Sequence, residues 1–195
     1  MKRSSMVSLC AALVVVVPTA ALAHPGADHS THHFASGFLH PFTGIDHILA
    51  MTTVGMWAAQ LGSPARWSIP LGFVAMMIVG GLFAAAHVTL PFVESGILAS
   101  TLVLGLLLLF SLRLTATASV ALTGAFAIFH AYAHIAEITP RAAMFVYTIG
   151  FVAATLILLF AGQTVGKFLK TKQRPHWLRA IGGAVAAASV LLAIG

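Results

Sequence analysis

Ten histidines and four carboxylates carry most of the chemistry open to this 195-residue chain. Each acid lies within ten residues of a histidine: Asp28 among His24, His29, His32 and His33; Asp46 between His40 and His47; Glu94 after His87; Glu137 after His130 and His134. Imidazole nitrogen with carboxylate oxygen suits divalent first-row metals such as Ni2+, Co2+ or Zn2+ better than Cu+. Sulfur is nearly absent as a ligand, because the one cysteine is Cys10 and the methionines do not cluster around the histidines.

Two constellations stand out. The first is His40-Pro41-Phe42-Thr43-Gly44-Ile45-Asp46-His47. On a straight helix His40 and His47 share a face but stand two turns, about 10 Å, apart, too far to hold one ion. Asp46 and His47 point roughly 100° apart. Pro41 and Gly44 favour a distorted backbone, since Pro removes a donor and Gly admits unusual dihedrals. The motif then reads as a binding site with His40 as a gate ligand one or two turns away.

The second constellation is Phe129-His130-Ala131-Tyr132-Ala133-His134-Ile135-Ala136-Glu137. His130 and His134 are i and i+4, and Glu137 is i+3 from His134, so all three share one helical stripe. An i, i+4 histidine pair is a bidentate clamp of the kind helical zinc proteases use, here without their intervening glutamate. Glu137 serves as a third ligand or as an acceptor that fixes an imidazole tautomer.

The elements that must position these groups follow from composition. With 59% hydrophobic and 7% charged residues and a mean hydropathy of +1.00, a soluble globule is excluded, since such domains carry roughly a quarter charged residues. A nucleic-acid partner is excluded as well: the pI of 10.3 reflects scarce acids, not a dense basic patch. Residues 1–23 read as a cleaved signal peptide, with Lys2 and Arg3, a short apolar core, Pro18 and a small-x-small end at Ala21 and Ala23. Cleavage removes Cys10, leaving no thiolate or disulfide. Residues 24–35 form a His-rich periplasmic tail in which His24, His29, His32 and His33 are weaker metal-ligand candidates. Pro25 has no amide to deprotonate, which rules out a square-planar amino-terminal copper or nickel site.

Residues 36–195 read as an all-α integral membrane protein of six transmembrane helices, at about 36–60, 67–87, 95–112, 115–136, 142–168 and 177–195. With both mature termini periplasmic, the cytoplasmic side holds Arg66, Arg113, Lys167, Lys170, Lys172, Arg174 and Arg179 and the outer side only Arg141, a clear positive-inside bias. Both histidine motifs then sit in the outer leaflet. His87 and Glu94 flank an outer turn and join the weaker candidates, while His176 falls alone on the inner side. Gly80, Gly81, Gly105, Gly124, Gly182 and Gly183 favour close helix packing. Trp57, Trp67 and Trp177 are expected at the cytoplasmic interface.

At its two motifs the sequence resembles the HupE/UreJ family of nickel permeases. The His-x5-Asp-His pattern of that family is matched by His40, Asp46 and His47 within an HPxxGxDH context. Its Phe-His-Gly-x-(Ala/Val)-His-Gly-x-Glu pattern is matched by Phe129, His130, Ala133, His134 and Glu137, with Ala131 and Ile135 in place of the two glycines. The resemblance spans the whole mature layout. It implies facilitated import of Ni2+, or Co2+, across a bacterial inner membrane without an ATPase, and the chain has no P-loop pattern. On this reading the protein is not an enzyme and holds no prosthetic group; its partners are the metal ion and the lipid bilayer. A homo-oligomer stays open. Isoleucine at 135 is expected to bear on pore width or metal preference, because it adds a branched side chain beside His134. The rival reading from another class is an intramembrane zinc hydrolase using the same His/Asp cluster to activate water.

Overall fold

A computed structural model describes residues 34–136, 138 and 141–194. The expected signal peptide, the tail histidines His24, His29, His32 and His33, and Glu137 lie outside the described residues. Seven helices and no strand occur among the described residues: α1 (Phe34–Thr43), α2 (Ile45–Leu61), α3 (Ala65–Ala85), α4 (Val93–Leu109), α5 (Ala116–Ile135), α6 (Arg141–Thr171) and α7 (Pro175–Ile194). Where no water is available, a helix satisfies each backbone N–H and C=O within its own segment. Helices α3, α5, α6 and α7 are long and apolar enough to cross a membrane, and α4 is a shorter apolar helix. Leu71, Ile78, Leu82, Phe145, Ile157 and Leu191 point outward and exposed, a distribution that fits lipid rather than water. The chain is a multi-pass membrane protein.

Helix ends fall within three residues of the expected spans, with one correction. The first expected span, 36–60, is two helices broken at Gly44. Pro41 cannot donate to the carbonyl of Gly37, which weakens the ladder just before the break. Gly44 then adopts extended dihedrals, φ −85° and ψ 118°. The chain is held across the break by Gly44 N–H to His40 O at 3.3 Å, Ile48 N–H to Gly44 O at 3.1 Å and Thr43 Oγ1 to His40 O at 2.8 Å.

Helix pairing orders the bundle. Helices α1 and α2 both lie along α6, α3 along α5, and α4 along α7. Close approach is made by glycine: a Cβ at Gly37 would overlap the Tyr147 carbonyl, and one at Gly55 would overlap the Leu159 carbonyl. Because residues 37 and 55 meet residues 147 and 159 in the same order, α1–α2 and α6 run parallel. Gly72 and Gly80 meet Val120 and Ile128 likewise, so α3 and α5 are parallel too. Helices α4 and α7 are antiparallel: Gly105 lies against Gly182 and Ala186, and Ser189 Oγ donates to Leu98 O at 2.9 Å.

The core between these pairs is built on Trp57, Phe73, Phe151, Met51 and Ile69, all fully buried. Trp57 therefore corrects a second expectation. It is not an interfacial anchor; its indole N–H donates to Leu112 O at 3.0 Å, tying α2 to the turn that follows α4. Trp67 and Trp177 are exposed, as expected of interfacial indoles.

The helix contacts make a paired test. Gly55→Ala forces a Cβ into the Leu159 carbonyl and is expected to destabilise by about 1–3 kcal/mol. In Gly183→Ala the new Cβ meets only Leu109 Cδ1 at 3.5 Å, with an expected change within about 0.5 kcal/mol. Unfolding midpoints of the two variants in one detergent check the difference.

Candidate metal site

The break at Gly44 sets the geometry of the first motif. His40 at the end of α1 and His47 in the first turns of α2 are not two turns apart; their ring centroids are 5.5 Å apart. His134 of α5 completes a group, with centroids 4.1 Å from His40 and 4.5 Å from His47. One ring nitrogen from each of His40, His47 and His134 lies within 4.8 Å of the others. His40 is thus part of the cluster, not a separate gate. The helix breaks between the two histidines, and that is what removes the axial separation of a straight helix.

A second triad overlaps the first. Ligand atoms of Asp46, His47 and His130 also lie within 4.8 Å of one another, and the His47 and His130 rings are 5.2 Å apart at 87°. The i, i+4 pair of α5 is therefore divided: His134 belongs to one triad and His130 to the other, with His47 common to both.

Gly44 also has a different role from the one its backbone freedom suggested. Its dihedrals are open to any residue, but a Cβ there would stand 2.8 Å from Asp46 Oδ1 and 2.9 Å from His47 Nδ1. Glycine keeps the space over the Asp46–His47 contact empty.

Burial makes these groups expensive to leave unpaired. His47 and His130 are fully buried, and His40, Asp46 and His134 are half-buried. His47 Nδ1 sits 3.0 Å from Asp46 Oδ1, an ion-pair distance without hydrogen-bond geometry. Both ring nitrogens of His47, Nδ1 of His130 and Nε2 of His134 are buried with no hydrogen-bond partner, at a cost of about 1–3 kcal/mol for each such group. Asp46 also lies in the first turn of α2, where the positive end of the helix dipole favours a carboxylate. Convergent imidazoles with several unpartnered ring nitrogens, one stabilised carboxylate and no sulfur form a donor set fitted to a divalent first-row cation.

Three residues that sequence reasoning missed complete the surroundings. Phe151 of α6 faces the rings of His40, His47 and His134 at centroid distances of 5.9, 5.8 and 5.6 Å. Tyr147 stacks on Phe151 at 6.1 Å and lies 6.1 Å from His40. Their i, i+4 aromatic spacing was the available signal. Ser100 of α4 is 2.9 Å from His130 Nε2; a serine in an apolar helix that also carries Ser95 and Thr101 offered none.

The weaker candidates fall elsewhere. His87 and Glu94 are exposed at the α3–α4 turn, outside both triads. That turn is held to α5 by Leu90 N–H donating to the Tyr132 hydroxyl at 3.4 Å. Glu137 and the tail histidines lie outside the described residues.

The family model described as HupE / UreJ protein matches residues 12–192. The chain belongs to the HupE/UreJ family. It is also 37% identical, over 195 residues and the full length of both chains, to Protein HupE of Rhizobium leguminosarum bv. viciae. No solved structure matches it.

Of the two positions where the HupE/UreJ pattern has glycine, Ile135 has a structural account. Ala131 and Ile135 are both buried. A Cβ at Gly81 of α3 would stand 2.6 Å from Ile135 Cδ1, so the isoleucine fills the groove left by that glycine. Its bulk is taken up at the α3–α5 contact.

Gly44→Ala tests the site without disturbing the helix break. The expected outcome is unchanged helical content by circular dichroism and Co2+ or Ni2+ affinity lowered by about 10–100-fold, the range seen when groups supporting metal ligands are altered. Equal affinity in both proteins would show that the space over Asp46 and His47 is not used.

Proposed function

We propose that this chain is a permease of the bacterial inner membrane that admits a divalent transition metal, Ni2+ or Co2+, by facilitated diffusion. The observation that carries the reading is the pair of overlapping nitrogen and oxygen triads sharing His47. A resident structural metal is best held by one closed ligand set. A transported ion must be bound well enough to lose water and weakly enough to leave, and adjacent partial sites provide this.

In the six-span arrangement α1 and α2 form the first span, both termini of the mature chain are outside, and the histidines lie in the outer leaflet. His40 and His134 meet the arriving ion with His47. His130 is one turn deeper on α5 than His134, so exchange of ligands about His47 moves the ion inward to Asp46 and His130. His47 belongs to both ligand sets, so partners from the second set stand close as those of the first are exchanged. The Asp46 carboxylate offsets part of the charge in an apolar setting. Glu137 is assigned as a further ligand or orienting acceptor, and the tail histidines as collectors of ions outside. Membership in the HupE/UreJ family supports the same reading. Nickel and cobalt share these ligands, and their ranking follows intrinsic affinity unless geometry intervenes.

Radiolabelled Ni2+ uptake into proteoliposomes tests the proposal. Saturable uptake competed by Co2+ is expected. His47→Ala, common to both triads, should lower it by more than about tenfold, with Asp46→Ala and His130→Ala also impaired and His87→Ala close to the parent. Lowering the external pH should reduce uptake, because protons compete with the ion for imidazole lone pairs. Uptake no faster than through empty liposomes would overturn the reading. Tightly retained zinc with cleavage of a lipid amide or ester would replace it with the hydrolase.

A further inference from the structure

The hydrogen bonds around Ser100 determine how His130 is protonated. Ser100 Oγ lies 2.6 Å from the carbonyl oxygen of Ile97, one turn earlier on α4. Two oxygens at that distance require a proton between them, and the serine hydroxyl is the only one that can supply it. With its single hydrogen committed to Ile97 O, the Ser100 oxygen can only accept. Its other partner, His130 Nε2 at 2.9 Å, must therefore be the donor. In a neutral imidazole one nitrogen carries the hydrogen and the other a lone pair. His130 Nδ1, buried and without a hydrogen-bond partner, is thus the lone-pair nitrogen.

We propose that Ser100 is a positioning residue that holds His130 as its Nε2–H tautomer and so presents the Nδ1 lone pair to the ion shared with Asp46 and His47. The chain Ile97 carbonyl, Ser100 hydroxyl, His130 imidazole does for this histidine what carboxylates and backbone carbonyls do for metal-bound histidines generally: it fixes ring orientation and tautomer. Without the serine oxygen, Nε2–H loses its acceptor and the proton is free to move to Nδ1, which removes the lone pair there. Ser100 touches no ion itself. Both its contacts lie inside the bundle and it is fully buried, so no surface role competes for the hydroxyl.

The inference rests on the permease reading for its consequence but not for its structural content, and the test separates the two. Full-length protein with isotope-labelled histidine ring nitrogens is reconstituted in lipid nanodiscs without metal, and the His130 signals are assigned by their loss in His130→Gln. The parent is expected to show His130 protonated at Nε2 and bare at Nδ1. Ser100→Ala should shift it toward the Nδ1–H form and lower Ni2+ uptake about tenfold, and Ser100→Thr, which keeps the hydroxyl, should restore both. A parent His130 protonated at Nδ1 overturns the proposal before any variant is made. So does Ser100→Ala with an unchanged tautomer, even if uptake falls, since that pattern marks packing alone. The expected tautomers in a parent that moves no Ni2+ would uphold the hydrogen-bond assignment and sink the permease reading.

Discussion

Polar ring nitrogens brought together inside an apolar bundle are costly to leave without a partner. In this protein the imidazoles of His40, His47, His130 and His134 and the carboxylate of Asp46 converge from α1, α2 and α5, and four of their buried nitrogens have no hydrogen-bond partner. The surrounding elements can be understood as what it takes to hold that arrangement. The break at Gly44 brings His40 back beside His47. The missing Cβ at Gly44 leaves the Asp46–His47 contact uncrowded. Glycines let α6 lie close enough along α1 and α2 for Phe151 to wall the rings. Ser100 orients His130 from α4.

Packing and polarity pull in opposite directions here. Every unpartnered polar group in the cluster opposes folding, and a straight first span without the break at Gly44, filled with larger side chains, would avoid that cost. The fold tolerates the cluster because the rest of the bundle is tightly made, with Trp57, Phe73 and Phe151 fully buried and close helix approaches at glycine. A bound ion would turn the cost around by occupying the lone pairs at once. The division of ligands into two sets about His47 keeps either set incomplete, which favours passage over retention.

Much of the fold was legible in the sequence. Apolar segments of near-membrane length, separated by Gly62, Pro64, Pro91 and the basic residues around Arg174, marked the helices to within three residues. The chemistry was legible as well: the five clustered residues are the four histidines of the two motifs and Asp46. Their mutual arrangement was not. Helical periodicity describes straight segments, so it separated His40 from His47, whereas a single break at Gly44 brings their rings to 5.5 Å and the approach of α5 adds His134 to them. Trp57 was misplaced for a related reason, since an indole near a helix end satisfies the interfacial pattern whether it faces lipid or the turn that follows α4. Ser100 gave no signal, because its role depends on a partner thirty positions away.

The central claim is that imidazole nitrogen and carboxylate oxygen from these residues, and no sulfur, hold the ion during passage. X-ray absorption at the nickel edge on the Ni2+-loaded protein in lipid examines this most directly. The expected spectrum has a nitrogen and oxygen shell with the outer-shell scattering of two or three imidazoles, reduced by at least one imidazole in His47→Ala. A shell of water oxygens alone, a sulfur ligand, or a spectrum that His47→Ala leaves unchanged would contradict it.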